Sequence, residues 1–162
     1  MSLCQFSVPR DERCFEDYAP GRTYECGSVS FSAEGIIAFA RAYDPQDMHV
    51  DPEKAARSPL GGIIASGWHT VSEVMRLYVD HFLPGPANTP SPGVDHLRWR
   101  KPVRPGDTLR LRVTVCEAIP SRTRPDRGIV KTLLEAFNQR DELVLSLRAN
   151  DILLRRPSQA KP

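Results

Sequence analysis

The stretch GWHTVSEVMRLYVDHF, residues 67–82, carries the strongest secondary-structure signal in the chain. Its apolar side chains recur every three or four residues, a spacing that brings them onto one face of a helix. These side chains are Val71, Val74, Met75, Tyr78, Val79 and Phe82. We therefore predict a long helix that begins near Gly67, with Ser66 as the cap of its free amide groups.

After residue 93 the apolar residues alternate with polar ones, which is the pattern of half-buried strands. Leu109–Cys116 shows the alternation most clearly, with leucine or valine at every second position. The other predicted elements are strands over Val94–Arg100, Ile129–Asn138 and Leu143–Leu154 and a hairpin turn over Asn138–Glu142. The apolar parity changes between Ala149 and Ile152, which predicts a bulge near Asn150 and Asp151.

The first half of the chain is mainly helical in its periodicity, apart from a strand predicted over Tyr24–Phe31. Ser32 is placed to cap a helix that runs to Tyr43 and ends at Asp44, because a residue before proline avoids helical angles. This helix is apolar around most of its circumference, which is typical of a buried helix. A short helix is predicted over 52–57. A helical first half and an antiparallel second half predict an α+β fold.

Composition and charge exclude several classes of protein. The 162 residues suggest a single domain, in which residues 1–14 and 155–162 are expected to be irregular tails. The net charge of +2 is too small to indicate a nucleic-acid partner, and no apolar run approaches the length of about 20 residues that spans a membrane. The first residues lack the apolar stretch of a signal peptide. We therefore expect a cytoplasmic protein.

The stretch YDPQDMHVD, residues 43–51, places the carboxylate of Asp44 five residues before the imidazole of His49. The helix dipole and partial burial are both expected to raise the pKa of Asp44, which would make it a stronger base. His49 can change its protonation state near neutral pH and supply a proton. From the residue types alone, an Asp-Pro turn beside an unrelated histidine is the simpler interpretation.

Ser66 and Gly67 open the long helix and form a second candidate site. Amide groups in the first turn of a helix lack partners within it and suit an oxyanion. A glycine also lets a substrate carbonyl approach the backbone closely. A capped helix whose glycine only permits a tight entry explains the same two residues. His69, in the same turn, is expected at the surface.

Two basic segments are candidates for binding phosphate, although a solvated loop is the more common explanation of such a segment. The arginines of SRTRPDRG, residues 121–128, are Arg122, Arg124 and Arg127. The basic residues of RWRKPVRPGD, residues 98–107, are Arg98, Arg100, Lys101 and Arg104. Trp99, within the second segment, is expected in the core.

A metal site is a weaker interpretation of the region around Asp44. Its ligands would be Asp44, His49, Asp51 and His69. This spacing matches no metal motif, so we expect no metal.

Together these segments resemble the MaoC-like dehydratases, the R-specific enoyl-CoA hydratase group of the hot-dog superfamily. The resemblance extends from about Phe15 to Leu154 and is most specific in residues 43–51, where Asp44 and His49 are followed by Asp51. The sequence departs from the commonest motif at Gln46-Asp47, and Met75 stands where some members have a serine. The resemblance implies an antiparallel sheet wrapped around one long helix, for which we expect the helix over Ser32–Tyr43.

The resemblance also implies the chemistry and assigns residues to it. Water adds to an enoyl thioester, or leaves a 3-hydroxyacyl thioester, with Asp44 and His49 as acid and base and Gly67 as the amide donor to the thioester oxygen. The residues expected to contact the rest of the substrate are Ser66, Trp68, Ile64 and Met75. Coenzyme A, as part of the substrate, is expected to contact the basic loops, and no separate cofactor is expected.

The partners implied are a second copy of the chain, in a homodimer or a higher oligomer, and an acyl-CoA or acyl carrier protein substrate. A thioesterase remains an alternative, because the hot-dog superfamily includes thioesterases. In that reaction water would attack the carbonyl carbon instead of the β-carbon. A non-catalytic protein that binds acyl chains is the other alternative.

Overall fold

The structure, a computed structural model, describes residues 3–157. The helices in this part of the chain are α1 (Ala33–Tyr43), α2 (Asp47–Val50), α3 (Pro52–Arg57) and α4 (Gly67–His81). The strands are β1 (Thr23–Ser30), β2 (Asn88–Thr89), β3 (Val94–Trp99), β4 (Thr108–Pro120), β5 (Arg127–Phe137) and β6 (Leu143–Leu154). Two short 3-10 turns, Arg10–Glu12 and Phe15–Asp17, precede β1. The predicted α+β class is confirmed.

The six strands form one antiparallel sheet. The long strands β4, β5 and β6 pair in order, β1 pairs with the other edge of β4, and both β2 and β3 pair with β6. The alternation predicted for β4 is confirmed, because its odd-numbered residues from 109 to 115 are fully buried. The predicted hairpin between β5 and β6 also forms, with the amide of Asn138 donating to the carbonyl of Glu142.

The long helix α4 is the one that the sheet wraps around. Its side chains Val74, Leu77 and Tyr78 are buried in the core. The Tyr78 hydroxyl reaches the sheet, where it lies 2.9 Å from Thr132 Oγ1 on β5 and 2.5 Å from Asp151 Oδ2 on β6. This arrangement confirms the hot-dog architecture that the resemblance implied.

The expectation that the helix over Ser32–Tyr43 is the central one is wrong. In α1 only Ile36 and Ala40 are buried, and Tyr43 is 76% exposed. Two buried positions of small and medium size do not fill the concave side of a sheet, whereas α4 presents large side chains over several turns. Apolar residues around a helix therefore indicate burial but not which helix the strands enclose.

The bulge predicted near Asn150 and Asp151 is wrong. The pairing of β6 with β5 is continuous over residues 145–154. Asp151 continues the inward-facing row of Leu147 and Ala149 and is only 4% exposed. The apolar parity of the sequence therefore changes because a carboxylic acid occupies a core position, while the strand itself stays regular.

His69 is buried, so its expected place at the surface is wrong. Its ring stacks on Phe39 of α1, with centroids 4.6 Å apart, and its Nε2 lies 3.5 Å from Glu73 Oε1. Burial lowers the pKa of His69, and Glu73 opposes that shift. The sequence did not show that α1 packs across the first turn of α4.

The segment before β1 packs against the core. Phe6 stacks on Tyr24 with centroids 4.2 Å apart, and the guanidinium of Arg13 lies 3.8 Å from the centroid of the Phe6 ring. Residues 1–2 and 158–162 of the expected tails lie outside the described residues. Within residues 3–157, no helix has the length and apolar character needed to cross a bilayer.

Candidate active site

The turn after α1 brings Asp44 and His49 together. Pro45 ends α1, and the single-turn helix α2 then directs His49 back towards the end of α1. His49 Nε2 lies 3.5 Å from Asp44 Oδ2. The His49 side chain is 4% exposed and that of Asp44 19%, so the pair is partly enclosed while the carboxylate retains access to solvent.

Two hydrogen bonds fix the Asp44 carboxylate. The Gln46 side-chain amide donates to Oδ1 at 2.7 Å, and the Ser66 hydroxyl donates to Oδ2 at 2.7 Å. These bonds, from Gln46 first and then Ser66, hold the pKa of Asp44 below its usual value although burial opposes them, and His49 adds a smaller effect in the same direction. The expectation of a raised pKa is therefore wrong, and Asp44 is ionised at neutral pH.

The backbone decides which nitrogen of His49 carries a proton. His49 Nδ1 lies 2.8 Å from the carbonyl oxygen of Ile64. A carbonyl only accepts, so Nδ1 must be the donor. In the neutral ring, Nε2 then has a free lone pair, and this is the nitrogen that faces Asp44. The pair thus combines a proton acceptor with a fixed negative charge.

Ser66 caps α4 as predicted, because its Oγ accepts a hydrogen bond from the amide of Trp68 at 3.2 Å. Gly67 follows in the first turn, where amides have no acceptor inside the helix, and it lines the same cavity as Asp44 and His49. A Cβ at residue 67 would lie 2.5 Å from atoms of the Trp99 indole. The glycine therefore makes room for an indole ring.

Trp99 lies at the rim of the site, so its expected place in the core is wrong. It is 47% exposed, and its Nε1 donates to the Gly67 carbonyl at 2.9 Å. Its ring meets that of Trp68 edge to face, with centroids 5.5 Å apart. The two tryptophans form one wall of the cavity.

The cavity at this site has a volume of about 380 Å³. Its lining includes the acid–base pair, Gly67, and the side chains of Ile64 and Trp68 that were predicted to contact substrate. Arg100 and Lys101 lie at the same cavity. Lys101 pairs with Glu142 at 2.5 Å, whereas no carboxylate among residues 3–157 lies within ion-pairing distance of Arg100.

Met75 lines a different cavity, of about 260 Å³, between α4 and the strands β3 and β6. Trp68 lines both cavities and stands between them. The substrate contacts predicted for Trp68 and Met75 are thus divided between two adjoining spaces.

The arginines of residues 121–128 lie away from this site in the same chain. Arg127 pairs with Leu154 at one end of β6, and Trp99 pairs with Leu145 near the other. Nine residues of strand separate these positions, a distance of roughly 30 Å. Arg127 also pairs with Asp126 at 2.7 Å. The structure does not bring Arg122, Arg124 or Arg127 to the cavity.

Asp51 and Asp47 serve local structure. Asp51 caps α3 by accepting from the amides of Glu53 and Lys54. Asp47 pairs with the Lys54 ammonium at 3.0 Å.

The site residues that the sequence analysis did not identify are Gln46 and Trp99. Gln46 had a signal, since a side chain two residues after a turn aspartate is placed to bond it. Within the described part of the chain, no group of three His, Cys, Asp or Glu residues is arranged to hold a metal ion.

Known proteins with similar sequences share this architecture. The model of the MaoC-like domain family matches residues 16–136. The 3-hydroxybutyryl-CoA dehydratase of Methylorubrum extorquens is 34% identical over 111 residues, which cover 68% of each chain. The crystal structure of a MaoC-like dehydratase from Rhodospirillum rubrum is 40% identical, with a TM-score of 0.83 over 90% of this chain and 99% of that one. The R-hydratase PhaJ1 of Pseudomonas aeruginosa, at 23% identity and a TM-score of 0.73 over 92% and 94% of the chains, shares the fold.

Proposed function

Because the chain belongs to the MaoC-like domain family, we propose that it adds water to an enoyl thioester, or removes it from a 3-hydroxyacyl thioester. The observation that supports this most is the approach of Asp44 and His49 to 3.5 Å in the wall of a cavity that also contains the first turn of α4. The dehydratase activity of the M. extorquens relative is in keeping with it, since one active site catalyses both directions.

In the proposed mechanism, a water molecule in the cavity is hydrogen-bonded to both the Asp44 carboxylate and Nε2 of His49, which lie 3.5 Å apart. The lone pair on Nε2 takes a proton from the water as its oxygen forms a bond to the β-carbon of the enoyl group. Asp44, kept ionised by Gln46 and Ser66, holds the water and stabilises the imidazolium that forms. General base help of this kind typically contributes about 10²–10⁴-fold in rate.

The electrons of the double bond move onto the thioester oxygen as the water adds. The Gly67 amide, at the positive end of α4, is the proposed donor to that oxygen. One preorganised donor at such an oxyanion contributes roughly 2.7–4 kcal/mol. The imidazolium then returns its proton to the α-carbon, which restores His49 and completes the hydration. Dehydration follows the same steps in reverse.

Coenzyme A is the proposed carrier of the acyl group. A surface cavity of about 340 Å³ adjoins the site through Arg100, and its other basic residues are His96, Arg98 and Arg148. Among residues 3–157, no carboxylate lies within ion-pairing distance of Arg98, Arg100 or Arg148. Unpaired guanidinium groups bind phosphate well, so this surface replaces residues 121–128 as the proposed phosphate contact.

The test is to incubate the protein with crotonyl-CoA and follow both the enoyl absorbance and free thiol. Loss of absorbance without thiol release is the expected result. Thiol release would indicate a thioesterase, and no reaction with tight binding would indicate a non-catalytic acyl-binding protein. The carrier is tested with the crotonyl thioester of pantetheine, which lacks the nucleotide phosphates. The wild-type protein should have a higher KM for this thioester than for crotonyl-CoA. Arg100→Ala should raise the KM for crotonyl-CoA and leave the KM for the pantetheine thioester unchanged.

A further inference from the structure

The cavity beside α4 contains a carboxylic acid that the proposed acid–base chemistry does not use. Its lining is otherwise apolar except for an exposed serine at the rim and the hydroxyl of Tyr78. The apolar wall comes from Val71, Val74, Met75, Val94, Leu97, Leu134, Leu147 and Ala149. Asp151 is 4% exposed and lines this space from β6.

Asp151 has spare capacity to accept hydrogen bonds. The Tyr78 hydroxyl donates to its Oδ2 at 2.5 Å, and that hydroxyl is also bonded to Thr132 Oγ1. A carboxylate has two oxygens and about four acceptor positions. No donor among residues 3–157 contacts Oδ1. Burial raises the pKa of Asp151 to about 6, which is the cost of keeping an under-bonded carboxyl group in an apolar wall.

A core position that served packing alone would favour an apolar residue at 151. Apolar residues of similar volume are often neutral or stabilising in place of buried charged groups. The neighbours of Asp151 on the same face of β6 are Ala149 and Leu153, both buried and apolar. Packing alone therefore does not explain the carboxyl group, which lines the cavity.

The position of the cavity relates Asp151 to the acyl group. Trp68 lines both this cavity and the one that holds Asp44 and His49. From Gly67, the proposed site of the thioester oxygen, to Tyr78 the helix advances eleven residues, or about 16 Å. An acyl chain whose carbonyl lies at the start of α4 can thus extend along the helix past Trp68 and Met75 towards Asp151.

We propose that this cavity receives the far end of the acyl chain and that Asp151 selects chains which carry a hydroxyl group there. The inference rests on the proposed function. A hydroxyl group would donate to Oδ1 and complete the network of Tyr78 and Thr132. An ammonium group would lose far more hydration in the apolar wall, and a second carboxylate would repel Asp151. Asp151 is then a residue that determines specificity, separate from the acid–base pair.

The test compares trans-2-enoyl-CoA esters of equal length, with and without a terminal hydroxyl group, whose extended chains span the roughly 16 Å from Gly67 to Tyr78. In the wild-type protein, kcat/KM should favour the hydroxylated ester by about tenfold or more, because one hydrogen bond to a charged group is worth that much. Asp151→Leu and Asp151→Asn should reduce this ratio towards one and leave kcat/KM for crotonyl-CoA, whose short chain does not reach, within about twofold. Asp80→Asn, on the exposed face of α4, is the matched control and should keep the wild-type ratio.

Equal kcat/KM for the two esters in the wild-type protein would overturn the inference. So would an equal loss of activity towards both esters and crotonyl-CoA in Asp151→Asn, because that indicates only a structural role. Should the protein hydrate no enoyl-CoA, the proposed function fails, and binding then decides the inference. Saturated acyl-CoA esters with and without the terminal hydroxyl can be compared by quenching of Trp68 and Trp99 fluorescence. Tighter binding of the hydroxylated ester supports the inference, and equal binding contradicts it.

Discussion

At the scale of single residues, the candidate site depends on how neighbours fix the charge of Asp44 and the tautomer of His49. Ser66 connects the two halves of the site, because its hydroxyl donates to Asp44 and accepts from the amide of Trp68. The Ile64 carbonyl leaves the lone pair of His49 on the nitrogen that faces Asp44. In the proposed mechanism the base is therefore the histidine, and the aspartate acts through its fixed charge and position.

Ser66→Ala tests this link between the helix cap and the pair. It removes one of the two bonds that hold Asp44, so we expect kcat/KM to fall by roughly tenfold or more. Loss of the cap should also lower the free energy of unfolding by about 1 kcal/mol. Ser32→Ala is a matched control, because Ser32 caps α1 by accepting from the Gly35 amide. Ser32→Ala should lower the free energy of unfolding, measured by urea denaturation, by a similar amount and leave the activity unchanged. Equal activity in the two variants would contradict the role of Ser66.

At the scale of elements, the start of α4 and the end of β3 form one unit. The Trp99 indole lies against Gly67, where a Cβ would approach its atoms to 2.5 Å. Because the proposed oxyanion donor is the amide of the same glycine, the position of the indole and that of the amide depend on each other. The cavity wall and the first turn of α4 should therefore move together.

Gly67→Ala should displace Trp99 and lower kcat/KM by about tenfold or more, since a small displacement of a positioned donor is costly. The displacement itself would appear as a shift in tryptophan fluorescence. Gly35→Ala in α1 is the control, because its Cβ meets only the Ser32 hydroxyl, at 3.3 Å. Unchanged activity and fluorescence in Gly67→Ala would show that the close contact has no part in the site.

The sequence predicts an element when local chemistry decides it, and fails when a distant contact does. The boundaries of α4 follow from its periodicity and from Ser66, and those of α3 from the cap at Asp51. The burial of Asp151 could not be predicted, because its partner Tyr78 is 73 residues away in the chain. The exposed Trp99 depends in the same way on Gly67, which is 32 residues distant.

The candidate site shows the same division. Asp44, His49 and Gly67 stand out through the resemblance, and their residue types alone left a plain turn as the simpler interpretation. The raised pKa predicted for Asp44 is wrong, because helix dipole and burial alone do not account for the two side-chain donors that lower it. Only one of those donors, Gln46, lies close enough in sequence to be anticipated.

At the scale of the whole molecule, buried ionisable groups and open edges determine stability and assembly. Asp151 has a pKa of about 6 in the folded chain, above the usual value of 3.8. Between these two values the folded state keeps a proton that the unfolded state has lost. Stability from this group is therefore present at low pH and is lost as the pH rises through about 6, a difference of about 3 kcal/mol.

Asp151→Asn removes this titration and should change how stability depends on pH. Relative to the variant, the wild-type protein should lose free energy of unfolding between pH 3.8 and about pH 6 and should change little above that. Urea denaturation of both proteins across this range measures the difference. A difference between the two proteins that stays constant with pH would contradict the assignment of the titration to Asp151.

A homodimer is the assembly expected from the sheet edge and the exposed apolar side chains. β3 pairs with β6 on one side, and its other edge has no partner within residues 3–157. The exposed apolar residues that line the two cavities are Trp68, Met75, Val94 and Trp99. Sedimentation equilibrium should give twice the chain mass of 18.2 kDa. Val94→Asp should shift the protein towards monomer, whereas Ile119→Asp at the far end of β4 should not. A monomeric wild-type protein would contradict the expectation.

The central claim is that Asp44 and His49 act together on one water molecule, and hydration of crotonyl-CoA by Asp44→Asn tests it most directly. Asp47→Asn is the matched control, since Asp47 is a nearby carboxylate that pairs with Lys54 at the surface. We predict that Asp44→Asn folds normally and loses about 10²-fold or more in kcat/KM, while Asp47→Asn stays within about twofold of the wild type. Activity near the wild-type value in a folded Asp44→Asn would contradict the account.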